Sequence, residues 1–181
     1  MVKNTSEVVS APERRIARSV HYNISYIVQG AQNGPDGAIV LLHDILGGAF
    51  VWEGIMPQLA SLNRAVYAFD MLGYGASDHP WPADTSIWGQ GDVLAFILKQ
   101  LGLHNVILVG HGIGGGVAQV LATRLYRDET AGIVLIDSTS YLHAHADNWP
   151  LPDMEKRQDF DAPKEAKVED IMRDLRATLP N

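Results

Sequence analysis

The sequence has 181 residues, is 46% hydrophobic and contains no cysteine, and its 14 basic and 21 acidic residues give a formal net charge of −7. This length and composition predict one compact domain rather than a disordered chain. The missing cysteine excludes disulfides, thiolate catalysis and cysteine-bound zinc, and it is typical of a reducing compartment, so we expect a cytoplasmic protein. The acidic balance argues against a nucleic-acid partner. No apolar run approaches the roughly 18 residues of a membrane span, so no membrane is expected as a partner.

The predicted elements follow a polar arm at residues 1–13. Alternating apolar residues predict a strand pair over 14–28. Continuous apolar runs predict buried parallel strands at 38–43, 64–70, 105–110 and 132–137. Helical periodicity predicts helices at 49–61, 86–101 and 113–126, and Pro57 is expected to kink the first of them.

The alternation of strands and helices predicts an α/β fold with a mostly parallel sheet and flanking helices. We expect the six predicted strands to form a core at residues 14–140. Residues 141–181 are polar and charged, and they end in an amphipathic segment. This last part is expected to form lid or cap helices.

A glycine-rich turn joins the predicted strand at 105–110 directly to the predicted helix at 113–126. Gly110-x-Gly112-x-x-Gly115 has the spacing of a dinucleotide-binding fingerprint, in which amides at a helix N-terminus hold a pyrophosphate. Asp137 ends the next predicted strand, where such a fold places its ribose-binding acid. One hypothesis is therefore a dinucleotide binder.

The same turn also fits a nucleophile elbow, Gly-x-Ser-x-Gly, in which glycines flank a nucleophile between a strand and a helix. Gly110 and Gly114 stand at the flanking positions, and His111 precedes the elbow residue. Gly112 stands at the nucleophile position, which is therefore vacant. No cysteine is available to replace the missing oxygen nucleophile.

Four motifs in the same order resemble the α/β-hydrolase family over about residues 14–140. They are the loop Val40-Leu-Leu-His-Asp-Ile-Leu-Gly-Gly, the D-x-x-G-x-G-x-S loop from Asp70 to Ser77, the elbow, and the strand Ile133-Val-Leu-Ile-Asp137. A dinucleotide fingerprint usually opens its domain, whereas about a hundred residues precede this one. The resemblance therefore favours the elbow over the dinucleotide site.

The resemblance implies an oxyanion hole formed by the backbone N–H groups of Ile45 and Ile113. His43-Asp44 stands where the family has His-Gly, so a carboxylate replaces a glycine beside this hole. If ionised, Asp44 would repel a developing oxyanion and oppose ester hydrolysis. Alternatively, Asp44 faces solvent or caps the next helix. His43 and His111 are expected to orient the backbone of their motifs.

The vacant position at Gly112 predicts a protein that is hydrolytically inactive as this chain and retains an apolar pocket for a small molecule. Asp137 is a possible triad acid, because haloalkane dehalogenase-like members of the family carry theirs after the sixth strand. The family's catalytic histidine follows the eighth strand, and this sequence ends before a predicted seventh. The fold is therefore expected to be incomplete at its C-terminal side.

The alternative function is a fragment or subunit of an active ester, epoxide or carbon–carbon bond hydrolase or lyase, completed by missing residues or a partner chain. The unpaired edge of the sixth strand favours a homo-oligomer through that edge. His143-x-His145-x-Asp147 resembles part of a metallo-β-lactamase signature, but no histidine follows Asp147. Neither a metal nor a cofactor is predicted.

Overall fold

The computed structural model describes residues 11–30 and 36–139. Across these residues, six strands form one sheet in the order β1-β2-β4-β3-β5-β6. The strands are β1 (Glu13–Arg18), β2 (Asn23–Gln29), β3 (Ala38–Leu42), β4 (Ala65–Phe69), β5 (Val106–His111) and β6 (Thr130–Ile136). The α-helices are α1 (Met56–Ala60), α2 (Ile87–Gln100) and α3 (Ile113–Val120).

The sheet is antiparallel at one side and parallel through the rest. β2 pairs antiparallel with both β1 and β4. β4, β3, β5 and β6 run parallel to one another, and Val40 at the centre of β3 lies opposite Tyr67 on β4 and Leu108 on β5. The predicted α/β fold with a mostly parallel sheet is confirmed.

The central strand β3 shows why continuous apolar runs form these strands. Successive side chains of a strand point to opposite faces, so both faces must be apolar when both are covered. Val40 and Leu42 pack in a cluster that includes residues of α2 and α3, whereas Ile39 and Leu41 pack in a second cluster with residues of α1. All four are completely buried, and each contributes about 1.5–3 kcal/mol by burial.

The helix predicted at 49–61 is wrong in its extent. A 3₁₀ turn spans Ala49–Trp52, and the separate helix α1 spans Met56–Ala60. Pro57 lies in the first turn of α1 rather than inside a longer helix. Proline is tolerated there because the first turn of a helix has no intrahelical partner for its N–H groups.

The other two helix predictions agree with the structure in their limits. α2 begins after Ser86, whose hydroxyl accepts a hydrogen bond from the Gly89 N–H at 3.2 Å. α3 continues from Leu121 to Leu125 as π-helical turns, so the predicted helix at 113–126 changes its hydrogen-bond pattern partway. Tyr126 follows these turns, and its hydroxyl donates a hydrogen bond to the Leu103 carbonyl at 2.5 Å.

Two predicted segments fall wholly or largely outside the described residues. The polar arm predicted at 1–13 reaches the first residue of β1, Glu13, and its residues 1–10 are not described. The predicted cap at 141–181, including the His143-x-His145-x-Asp147 motif, also lies outside them. Within the described part of the chain, no helix is long and apolar enough to cross a membrane.

Candidate functional site

The candidate site lies where the loops after β3, β4, β5 and β6 meet. Because these four strands are parallel, their carboxyl ends share one edge of the sheet, which is where open α/β sheets bind ligands. The loop after β3 begins at His43, and the loop after β4 begins at Asp70. The turn at Gly112 joins β5 to α3. The loops after β3 and β4, the elbow and the end of β6, which carry the four motifs that resemble the family, therefore lie at the same edge.

The turn at Gly112 has the sharp geometry of an elbow. Its φ of 54° and ψ of −119° lie in a region that residues with a side chain rarely adopt and glycine adopts without strain. The Gly112 N–H donates to the Ile136 carbonyl at 3.1 Å, and the Gly112 carbonyl accepts from the Thr139 N–H at 3.0 Å. The turn is thereby fixed against the end of β6.

The neighbouring glycines are required by close packing. A Cβ on Gly114 would collide with the carbonyl oxygens of Leu42 and His43, and one on Gly110 would collide with the backbone of α3. A Cβ on Gly115 would collide with the side chain of Ser138. These contacts account for the glycine spacing without a bound pyrophosphate, so they favour the elbow interpretation over the dinucleotide one.

The side chain of Asp44 forms a hydrogen bond with the first backbone N–H group of α3. Its Oδ1 accepts a hydrogen bond from the Ile113 N–H at 2.9 Å, and the side chain is half-buried. This is one of the two amides predicted to form the oxyanion hole. Asp44 therefore caps α3 and not the helical segment that follows it in the sequence. A carboxylate at a helix N-terminus is stabilised by about 0.3–1 kcal/mol.

The carboxylate of Asp44 also occupies the space that a side chain at position 112 would need. A Cβ built on Gly112 would overlap the Asp44 carboxyl group, with Oδ1 nearest to it. No substitution at Gly112 is therefore accommodated while Asp44 keeps its present position. The vacancy predicted at the elbow is filled by a side chain from another loop.

His43 joins the loops after β3 and β4, as its motif position predicts. Its Nε2 accepts from the Met71 N–H at 3.1 Å, so Nδ1 carries the proton and donates to the Asp44 carbonyl at 2.7 Å. The side chain is completely buried, and burial lowers the pKa of His43 below its usual value. The imidazole is therefore held neutral as a link between two loops.

Asp70 has a structural role that the sequence did not reveal. Its carboxylate accepts from the Ala49 N–H at 2.6 Å and the Ala76 N–H at 3.1 Å, and it pairs with Arg14 on β1. Burial raises the pKa of Asp70, but these hydrogen bonds outweigh it and lower the pKa overall. The contact with Arg14 spans 56 positions of the chain, so no local pattern signals it.

The remaining predicted site residues lie around this group. Ile45 is 53% exposed in a turn closed by the Gly47 N–H, which donates to the Asp44 carbonyl at 2.8 Å. Asp137 is exposed after β6 with a φ of 40°, and His111 ends β5 half-buried. Within the described residues, no hydrogen bond joins Ile45 or Asp137 to the group of Asp44, Gly112 and Ile113.

The segment that follows Asp44 in the sequence exposes several large apolar side chains. Four large apolar side chains between residues 45 and 51 are exposed: Ile45, Leu46, Phe50 and Val51. A separate shallow cleft lies at the amino ends of β3 and β4, where Ala38, Ala65 and Tyr67 contribute to its lining. Over the ranges 11–30 and 36–139, no group of three or more histidine, aspartate or glutamate side chains is placed to hold a metal ion.

Comparisons with known proteins agree with this geometry. The sequence pattern of the family described as alpha/beta hydrolase fold matches residues 37–178, and the chain belongs to this family. Lipase LipV of Mycobacterium tuberculosis is 31% identical over 138 residues, covering 75% of this chain and 51% of the lipase. The mesoderm-specific transcript protein of Mus musculus is 36% identical over 107 residues, covering 58% of this chain and 32% of that protein.

Solved structures show the same fold. Epoxide hydrolase CorEH superposes with a TM-score of 0.67 and 25% sequence identity, covering 78% of this chain and 47% of the hydrolase. The matched part of this chain spans between 29% and 51% of the length of the curated relatives. The described residues therefore correspond to part of the family's fold.

Proposed function

We propose that this chain is an α/β-hydrolase-like protein that does not carry out acyl transfer at its elbow and binds a small apolar molecule beside it. One observation carries the proposal: the Asp44 carboxylate accepts the Ile113 N–H at 2.9 Å, next to an elbow residue without a side chain. Acyl transfer needs a nucleophile and free amide donors at this place. Here the nucleophile is absent and one donor is engaged by an anion.

The expected loss of rate is large. Removing a single oxyanion donor costs about 10²–10³ in kcat, and removing a serine nucleophile costs about 10⁶. A carboxylate hydrogen-bonded to Ile113 adds repulsion, because the oxyanion of an acyl-transfer intermediate would develop negative charge at the same amide. These effects act on the same step and all oppose ester hydrolysis.

Binding of an apolar molecule is supported by the exposed side chains of the segment that follows Asp44 in the sequence. Leu46 is 95% exposed and Phe50 is 60% exposed. Large apolar groups clustered on a surface commonly mark a binding site, because their hydration is unfavourable. An apolar ligand would cover them without placing a negative charge against Asp44.

The acyl-transfer part is tested with p-nitrophenyl butyrate and the purified full chain. We expect no turnover above the buffer rate for the wild-type protein and for Gly112→Ser, because Asp44 blocks the new side chain. Asp92→Asn, which changes an exposed carboxylate on α2, is the matched control for preparation quality. Steady turnover by wild-type protein that Asp44→Asn changes, and Asp92→Asn does not, would overturn the proposal.

The binding part is tested by the fluorescence of 1-anilinonaphthalene-8-sulfonate titrated with a neutral apolar competitor, n-octanol. We expect Leu46→Asp to reduce competitor-sensitive fluorescence at least fivefold. Val20→Asp, at an exposed apolar position between β1 and β2, is the control and should leave the signal unchanged. An equal reduction in both variants would show that the signal does not come from the exposed apolar side chains between residues 45 and 51.

A second candidate is a subunit of an active hydrolase completed by further residues or by a partner chain. It is supported by β6, whose only strand partner among the described elements is β5, and by Leu135, which is 46% exposed on β6. Such an edge offers unpaired backbone groups to another strand. In light scattering, we expect a dimer that Leu135→Lys shifts to monomer, whereas a strictly monomeric wild-type protein contradicts the homo-oligomer.

A cytoplasmic location stays a prediction of the cysteine-free composition.

A further inference from the structure

The imidazole of His43 is held between two loops by one accepted and one donated hydrogen bond. Its Nε2 accepts from the Met71 N–H at 3.1 Å, and its Nδ1–H donates to the Asp44 carbonyl at 2.7 Å. The ring also lies edge-on against Tyr74, with 5.1 Å between the ring centroids. Only the neutral imidazole makes both hydrogen bonds, because the imidazolium carries a donor at each nitrogen. We propose that protonation of His43 is a switch that moves residues 44–48 away from Met71 while the rest of the fold stays intact.

Protonation changes one of the two hydrogen bonds of His43 and keeps the other. The new proton on Nε2 would point at the Met71 N–H, so two donors would face each other at 3.1 Å. The bond from Nδ1–H to the Asp44 carbonyl becomes charge-assisted and stronger, since the donor is then a cation. The Asp44 backbone therefore stays with the ring, and the contact that breaks is the one between the two loops.

The Met71 side of this contact is held by hydrogen bonds that do not titrate. Leu72 has both backbone groups bound to the side-chain amide of Gln90, through its N–H at 2.9 Å and its carbonyl at 2.7 Å. Just before Met71, the Asp70 carbonyl accepts from the Ser77 hydroxyl at 2.6 Å. The loop after β3 is therefore the part of the structure that responds to protonation.

Residues 44–48 form a partly exposed turn on the other side of the contact, and Leu46 in this turn is 95% exposed. One attachment of the turn is Asp44, whose Oδ1 accepts from the Ile113 N–H at 2.9 Å. This hydrogen bond depends on the position of the Asp44 backbone, because an aspartate side chain is short. Movement of the turn with the protonated ring therefore weakens the cap at Ile113 as well.

The charged groups that face His43 among the described residues are the carboxylates of Asp44 and Asp70. Burial lowers the pKa of His43, whereas its hydrogen bond to the Asp44 carbonyl and the two carboxylates oppose this effect. Burial raises the pKa of Asp70, but hydrogen bonds, including that from the Ala49 N–H, outweigh it and lower the pKa overall. Asp70 therefore stays ionised where His43 titrates and keeps Ala49 in place, so the movement is confined to residues 44–48.

The test measures hydrogen exchange of the 15N-labelled full chain by NMR at pH 7.5 and pH 4.5, corrected for the intrinsic pH dependence of exchange. We expect the protection factors of the Met71 and Ile113 amides to fall at least tenfold at the lower pH. The Leu72 amide, which is bound to Gln90, should keep its protection. The imidazole 15N signals of His43 should change over the same range from those of the Nδ1–H tautomer to those of the imidazolium.

Two variants assign the effect to His43. His43→Gln supplies an amide oxygen for the Met71 N–H and does not titrate, so the tenfold loss of protection should disappear. His104→Gln changes an exposed histidine and is the matched control, which should keep the loss. A loss that persists in His43→Gln would overturn the inference, because another group would then cause it.

The wild-type protein alone also decides the matter. Equal protection of the Met71 amide at both pH values, with His43 protonated at the lower one, would contradict the switch. A loss of protection at Leu72 together with Met71 would contradict it as well, since the fold would then open as a whole. These measurements involve neither hydrolysis nor an apolar ligand, so the inference and the proposed function fail independently.

Discussion

Arg14 and Asp70 form an ion pair between the first strand of the sheet and the loop after β4, with 2.5 Å between Nη1 and Oδ2. The Asp70 side chain is 1% exposed, whereas that of Arg14 is 41% exposed. The other carboxylate oxygen accepts the Ala49 N–H from the segment after β3. One buried carboxylate therefore connects the antiparallel part of the sheet with two of the loops that surround the elbow.

Asp70→Ala is expected to lower the free energy of unfolding by about 3–5 kcal/mol, because it leaves buried donors without an acceptor. Arg14→Ala should cost less than Asp70→Ala, since Arg14 is partly solvated. Urea unfolding measures both, with Asp92→Ala as the control at an exposed position. Equal losses for Asp70→Ala and Asp92→Ala would contradict the structural role of Asp70.

His43 should make stability depend on pH in the mildly acidic range. Burial lowers the pKa of His43 in the folded state, so between that pKa and the ordinary value of about 6.5 the unfolded chain binds the extra proton. The contribution of neutral His43 to the free energy of unfolding is fully present above about pH 6.5. It is lost as the pH falls below that value, by at most about 1.4 kcal/mol per pH unit.

The measurement compares urea unfolding of wild-type protein and His43→Gln between pH 7.5 and 5.5. The free energy of unfolding of the wild type should fall more steeply towards acid than that of the variant, since glutamine does not titrate. Other histidines contribute equally to both proteins and cancel in the comparison. Parallel pH profiles would show that His43 is not held neutral by the fold.

Gly114→Ala is expected to destabilise the protein by about 1–3 kcal/mol or more, because the added Cβ meets the carbonyl oxygens of Leu42 and His43. Gly54→Ala is the matched control, since a Cβ there has no atom within 4 Å. Thermal unfolding should show a decrease of several degrees for Gly114→Ala and little change for Gly54→Ala. A similar melting temperature for both variants would contradict the close approach of α3 to β3.

Asp44→Ala should lower the free energy of unfolding by about 1 kcal/mol, because α3 loses the acceptor at its first amide. Asp44→Asn keeps an oxygen acceptor and should lose only the interaction of the charge with the helix dipole. Chemical denaturation at low and high salt separates the hydrogen bond from the interaction of the charge with the helix dipole, since salt screens the charge. Identical losses for alanine and asparagine would mean that the hydrogen bond does not contribute.

The sequence predicted the strands well where apolar residues are continuous. The runs at 38–43, 64–70 and 105–110 became β3, β4 and β5 because burial on both faces requires that composition. The helix predicted at 49–61 is too long because Val51, Ile55 and Leu59 have helical spacing. The same spacing also suits a 3₁₀ turn followed by a short helix, and Pro57 fits the first turn of the latter.

The elbow could be located from its glycines because their spacing follows from local packing. The position of Asp44 could not, since its contact with Ile113 joins residues 69 positions apart. Both interpretations of Asp44 were consistent with its place after His43. Only the relative placement of two loops decides which amide the carboxylate reaches.

The overlap between Asp44 and a side chain at position 112 restricts the order in which this site can change by mutation. A serine acquired first at position 112 would collide with the Asp44 carboxylate, so it would destabilise the turn without supplying a usable nucleophile. The Asp44 carboxylate must be lost or displaced for a side chain to fit, and either change removes a stabilising cap from α3. The two positions are therefore epistatic, and a mutational path to an acylating elbow passes through a protein that lacks this cap.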